Sequence, residues 1–286
     1  MTTYRFMRFP GGKPKAVTLS YDDGCPQDER LGEIIDRYGL KCTFNLNSAF
    51  LLERESGAAA IARAKGFLEN GHEVAVHGAH HLANGIMNPI DGIRDVLQCR
   101  EELEQIFGRI IRGMAYPDSG IGRFTDGNTY QTVKNYLQAL GIVYARIVGG
   151  ENDRFDLPAD WLSWTPTIHH AHPDVLSYVD KFVASKPNDG YYADRYPRLF
   201  YLWGHSYEFD EQNNWELMET IGQRLGGMED TWYATNIEVY EYVTAYRSLV
   251  RSADGKRMYN PTVTPVWFFQ NSRNYCVNPG ETLVME

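Results

Sequence analysis

Two carboxylates side by side, Asp22 and Asp23, follow the apolar run Ala16-Val17-Thr18-Leu19 and precede Gly24 in the stretch Ser20-Tyr21-Asp22-Asp23-Gly24. Placing two acids together in a water-poor pocket is costly unless a cation is shared or one of them works as a base. Taken alone, the pair reads equally well as a helix-capping Asp before a turn Gly. A second stretch shifts the balance, because His77-Gly78-Ala79-His80-His81 ends another strand-like run. Two imidazoles and a carboxylate make a donor set for a divalent metal, with open positions for water and substrate. One acid of the pair completes that set with His77 and His81. The other is left as a base for a water whose pKa zinc brings toward about 7. His205, after Leu199-Phe200-Tyr201-Leu202-Trp203-Gly204, offers a further acid or base. Such a constellation suits hydrolysis of an ester or an amide.

Strands must carry these residues, and the pattern supplies them. The run ending at Asp22 is short and partly β-branched, as a buried strand is. Leu31, Ile34, Ile35 and Tyr38 then fall at helical spacing before Gly39. Strand-like runs recur at 41–47, 72–77, 110–115, 142–148, 198–203 and 231–235. Helical patterns lie between them at 58–70, 90–107, 133–140, 174–184 and 215–225, and again at 237–250. This β/α alternation predicts a parallel sheet covered by helices, open or closed as a barrel. In such folds the site lies beyond the C-terminal ends of the strands, which is where Asp22, Asp23, His77, His81, Tyr116-Pro117 and His205 all fall. Residues 151–173 read as an irregular loop over a site. Residues 1–251 are expected to form the catalytic domain, and 252–286 a small β-rich appendage packed on it.

The composition narrows the class. The chain has 286 residues with 43% hydrophobic and 23% charged, ordinary for a globular protein. A formal net charge of -9 with no basic stretch argues against nucleic acid as a partner. Cys25, Cys42, Cys99 and Cys276 are far apart and read as reduced thiols. The N-terminus has no signal-type apolar region and no membrane-length apolar run exists, so the expected location is cytoplasmic with no membrane partner.

These stretches resemble the signature motifs of the polysaccharide deacetylases (carbohydrate esterase family four, the NodB-homology domain). Ser20-Tyr21-Asp22-Asp23-Gly24 resembles the first motif, usually Thr-Phe-Asp-Asp-Gly, and by that resemblance Asp22 is the catalytic base and Asp23 a metal ligand. The run from Gly71 to His81 resembles the second, whose two His four apart bind metal, here His77 and His81. Leu202-Trp203-Gly204-His205 resembles the fifth, whose His protonates the leaving group. The fold so implied is a distorted, incomplete (β/α)7 barrel. The cofactor implied is one divalent metal ion, zinc first, with cobalt, manganese, nickel or iron also suited to the donor set.

Two motifs depart from the family pattern. The third, usually Arg-x-Pro-x-Gly, is here Ala115-Tyr116-Pro117-Asp118-Ser119-Gly120, without the arginine. The resemblance gives the Tyr116 N–H the task of stabilising the oxyanion. The fourth, Asp-x-x-Asp-Trp, has only Asp160-Trp161, and in the family its Asp pairs with the missing Arg. The support of the base must therefore differ. Tyr116, Pro117, Trp164, Trp203 and His170 are expected to touch substrate. Glu208 and Asp210 either orient His205 or are surface charges. Three functions follow: a metal-dependent deacetylase of an N- or O-acetylated sugar, oligosaccharide or polysaccharide; a hydrolase of another C–N bond, of cyclic imide or ureide type; or a non-catalytic carbohydrate-binding protein. The partner is accordingly an acetylated carbohydrate or a small amide.

Overall fold

The computed structural model describes residues 4–54, 56–125, 127–188 and 191–285. A short strand β1 (Arg5–Arg8) precedes β2 (Lys15–Asp22), after which helices and strands alternate. The order is α1 (Asp28–Arg37), β3 (Cys42–Leu46), α2 (Ser48–Glu53), α3 (Gly57–Glu69), β4 (Glu73–Val76), α4 (Pro89–Phe107), β5 (Gly113–Ala115), α5 (Tyr130–Ala139) and β6 (Tyr144–Arg146). Then come β7 (Ile168–His169), α6 (Val175–Ala184), β8 (Arg198–Gly204), α7 (Tyr207–Glu211), α8 (Trp215–Leu225), β9 (Thr231–Tyr233) and α9 (Asn236–Arg247). The tail is β10 (Val250–Arg251), β11 (Arg257–Tyr259), β12 (Val266–Gln270), β13 (Arg273–Val277) and β14 (Thr282–Val284).

The main sheet is parallel in the order β6-β5-β4-β3-β2-β8-β7. It curls into the expected distorted, incomplete (β/α)7 barrel. β2 lies inside it between β3 and β8, and every residue of β2 is buried because helices cover one face and the barrel interior the other. β8 runs beside β2 from Lys15↔Arg198 to Tyr21↔Gly204. The other side of β2 is shared: β9 covers 15–17 and β3 covers 19–22. Helices pack outside through their apolar stripes, as where Leu31, Ile34 and Ile35 of α1 are buried.

Part of the segment expected to be a loop over the site, residues 164–169, is instead part of the wall. Trp164 N–H donates to the Ala145 carbonyl at 3.0 Å, Ile147 N–H to the Trp164 carbonyl at 3.0 Å, and Thr167 N–H to the Tyr201 carbonyl at 2.8 Å. Residues 164–169 thereby bridge the edges β6 and β8. The gap in the barrel asks these backbone groups for partners, and irregular sequence supplies them.

The floor of the barrel is polar. Glu73 accepts from Tyr144 OH at 2.6 Å, Thr43 Oγ1 at 2.7 Å and the Ile237 N–H at 2.9 Å, so it anchors the first turn of α9. Burial pushes its carboxyl from 4.5 up to about 7, against the pull of those hydrogen bonds. Between those values the folded chain holds a proton that the unfolded chain has lost. This contribution to stability is therefore complete at low pH and disappears as pH rises through the window. The difference corresponds to about 3 kcal/mol. Glu73→Gln is expected to flatten the fall in unfolding free energy between pH 4.5 and 7, measured by urea denaturation at stepped pH. An unchanged slope would remove Glu73 as its source.

The tail does not close on itself. β12 pairs with β1 as well as β13, and β10 pairs with β11, which in turn pairs with β14. The expected boundary at 251/252 thus falls inside a sheet, and residues 5–8 from the other end of the chain complete the second one. No described helix is long and apolar enough to cross a membrane.

Candidate active site

Register places the chemistry. Asp22 ends β2 opposite Asn45, and Gly204 ends β8 opposite Tyr21, so His205 leaves its strand beside Asp22. The chain then turns through two residues of positive φ, Asp23 at 78° and Gly24 at 64°. That reversal brings Asp23 Oδ1 to 3.6 Å from His77 Nε2 and 3.5 Å from His81 Nε2. Asp22 is kept out of this cluster. Its Oδ2 lies 3.9 Å from His77 Nε2 and 3.9 Å from His205 Nε2.

His77 and His81 lie on a tight loop and not on a helix. Gly78 has φ +72°, and a Cβ there would fall 2.7 Å from Asp95 Oδ2, so glycine is required twice over. Asp95, from α4, accepts the Ala79 N–H at 3.1 Å and the His80 N–H at 3.0 Å, and holds the His80 ring through Nδ1 at 2.9 Å. The Asn47 amide donates to the carbonyls of His77 and Gly78. His77 Nδ1 is 2.9 Å from the Ala115 carbonyl, which fixes the hydrogen on Nδ1 and leaves the Nε2 lone pair facing Asp23. Burial lowers the His77 pKa, against the charges of Asp22 and Asp23, and keeps the ring neutral.

Asp22 is 1% exposed. Burial alone would raise its pKa, but Arg146, His77, His205 and the Asn45 side chain together hold it below the ordinary carboxylate value. Asn45 donates to Oδ1 at 2.8 Å, and the buried Arg146 guanidinium pairs with Oδ2. Arg146 also lies 4.2 Å over the Trp203 ring. Here is the support that the third motif lacks. Ala115, at the position where the motif carries arginine, pairs in register with Arg146 on the neighbouring strand. Sequence reading missed Arg146, although a charge inside the apolar run 142–148 signals a buried partner. It also missed Asn45 and Asp95. Asp160 plays no part: it caps Leu162 N–H at 3.0 Å and pairs with Lys134 at 2.6 Å.

His205 has its pKa raised above the ordinary value. Burial acts against this, and the Glu208, Asp22 and Asp23 carboxylates prevail.

The five expected substrate contacts are all buried and do not hold. Trp164 is 1% exposed, packed against Tyr144 and Tyr201 in the core. Trp203 is 6% exposed and supports Arg146. His170 is 1% exposed, its ring stacked 4.1 Å from Phe209. Tyr116 is buried, its OH donating to the Leu162 carbonyl at 2.8 Å. The Tyr116 N–H cannot serve an oxyanion either, because it donates to the Arg146 carbonyl at 2.9 Å to continue the ladder. Pro117 is buried beside Gly78. The open space lies elsewhere. A cleft of about 300 Å³ runs from Asp23 and His81 past Cys25, Phe50, Arg54 and Tyr207.

Residues 10–145 match the family model for polysaccharide deacetylase. No curated protein matches the chain by sequence. Among solved structures, a Mycobacterium smegmatis protein described as a polysaccharide deacetylase is 17% identical, covering 88% of this chain and 99% of its own, with a TM-score of 0.58. The Puue allantoinase is 10% identical, covering 82% and 91%, also at 0.58. The Xyl-CE4 domain of a multidomain xylanase from the hindgut metagenome of Trinervitermes trinervoides is 15% identical, covering 82% and 92%, at 0.51. At such identities these three likenesses speak to fold alone. Residues 10–145 are thus similar to the polysaccharide deacetylases, and the rest of the chain completes the barrel that they begin.

Proposed function

We propose that the chain is a metal-dependent hydrolase that removes acetyl groups from an N- or O-acetylated sugar or oligosaccharide. One observation carries the reading. His77 Nε2 and Asp23 Oδ1 are buried without a hydrogen-bond partner among the described residues, and with His81 they converge within 4.8 Å. Orphaned donors at that separation fit a divalent cation, zinc by preference for two imidazoles and a carboxylate. When bound, such an ion supplies a Lewis acid that polarises the acyl carbonyl and acidifies a water.

The chain's own residues do the rest. Asp22, held ionised by Arg146 and Asn45, takes the proton of the attacking water. His205, its pKa raised, holds a proton 3.9 Å from Asp22 Oδ2 and delivers it to the leaving amine or alkoxide. Each such transfer contributes about 10²–10⁴ in rate.

The test is elemental analysis of the purified protein together with acetate release from chitooligosaccharides before and after chelation. Near-stoichiometric metal and chelator-sensitive acetate release are expected, and His77→Ala should lose both. Protein that takes up no metal even after reloading would sink the reading.

A second reading has its own support. The tryptophans expected to stack on sugar rings are buried, and the cleft beside Asp23 and His81 is small, about 300 Å³. A compact cyclic imide or ureide fits such a space, and the allantoinase shares the fold. Bound metal without acetate release from any acetylated sugar would favour this C–N hydrolase.

A further inference from the structure

Beyond the ligand set, three imidazoles gather on one carboxylate. Glu208, in α7, has Oε2 3.1 Å from His170 Nε2 and 3.3 Å from His169 Nε2, and the same oxygen accepts the His205 N–H at 3.3 Å. Its Oε1 faces His205 Nδ1 at 3.6 Å.

Two imidazoles and a carboxylate would also suit a second cation, and the tautomer of His169 decides against it. His169 Nδ1 accepts the Ala171 N–H at 3.1 Å, so the hydrogen of the neutral ring sits on Nε2, the atom facing Glu208. A nitrogen that carries a hydrogen has no lone pair for a metal. The His170 ring cannot swing away, because it is stacked between Phe209 at 4.1 Å and Tyr21 at 5.6 Å. Its Nδ1 is pressed on Gly204, where a Cβ would fall 2.0 Å away. The glycine before His205 thus makes room for His170. Burial lowers the pKa of His169 to about 4 and lowers that of His170 as well, so both rings are neutral. Glu208 is held ionised by them although burial opposes it.

We propose that Glu208 is the positioning residue of His205: His169 and His170 flank its carboxylate, which holds the His205 ring with Nδ1 toward Oε1 and Nε2 toward Asp22. This rests on His205 being the proton donor of the proposed reaction. A small ring rotation closes the 3.6 Å separation to a hydrogen bond. The other groups facing His205 are Asp22 at 3.9 Å, the Asp23 charge, and the rings of Tyr207 at 5.3 Å and His169 at 6.1 Å.

The test uses the zinc-loaded full chain. Glu208→Gln is expected to lower kcat for acetate release roughly 10- to 100-fold with KM little changed, to keep one metal per chain, and to move the alkaline limb of the pH–rate profile to lower pH. Glu208→Asp should recover part of the rate. Nuclear magnetic resonance of labelled histidine rings, with His205 assigned through His205→Gln, reads the same coupling without substrate: the His205 midpoint should fall in Glu208→Gln, and partly in His169→Gln. An unchanged midpoint in folded Glu208→Gln overturns the proposal, as does a second metal ion lost on that substitution. If no acetylated sugar is cleaved while the midpoint still falls, the deacetylase reading fails and the link between Glu208 and His205 stands.

Discussion

Asp22→Asn loses acetate release by a factor of about 10²–10⁴ and keeps its metal. The substitution is nearly isosteric, so the Asn45 side chain and Arg146 keep a neighbour of the same shape. The amide cannot take a proton from water, and that step disappears. The metal should remain because its proposed ligands, Asp23, His77 and His81, gather around a different point. Acetate assays and elemental analysis on the same preparation check both halves. Full activity in Asp22→Asn would show that the base lies elsewhere, and joint loss of metal would place Asp22 among the ligands.

Arg146→Met destabilises the fold by about 3–5 kcal/mol at neutral pH, because it leaves a carboxylate buried without its counter-charge. Asp22 is 1% exposed, and its lowered pKa depends first on Arg146. In the parent chain that depressed pKa is a stabilising contribution, present above the unfolded value of about 4 and lost as pH falls through the folded one. Without Arg146, burial wins and the Asp22 pKa rises above its unfolded value. The sign then reverses, so the variant grows less stable as pH rises past that unfolded value. Activity falls as well, since a protonated Asp22 is no base, and the acid limb of the pH–rate profile moves upward. Urea denaturation of Arg146→Met, Asp22→Asn and the double variant measures the coupling. The double variant should regain much of what Arg146→Met loses. Simple addition of the two effects would mean that the pair is not coupled.

The β/α alternation, the buried β2 and the cluster of Asp22, Asp23, His77, His81 and His205 were legible in the chain itself. The reason is local. A strand announces itself by its run of apolar residues, and in a parallel sheet the residues just past each strand meet at one end. What the sequence left open depends on which strands lie side by side and which way a side chain points. Ala115 and Arg146 are neighbours only through the pairing of β5 with β6, so the arginine missing from one motif is supplied by the neighbouring strand, which carries no motif. The same pairing takes up the Tyr116 N–H.

Residue type misled where an aromatic ring suits a core as well as a cleft. Trp164 and His170 lie inside, Trp203 beneath Arg146, while the cleft is walled by Tyr207 and by Phe50, which nothing in the local pattern marks. The chain by itself thus determined where the reacting groups sit along each strand, since that is a matter of neighbours in sequence. Which charge steadies the base, and which rings face solvent, only the folded sheet decided, because its curl brings together residues more than a hundred positions apart, as it does Asp22 and Arg146.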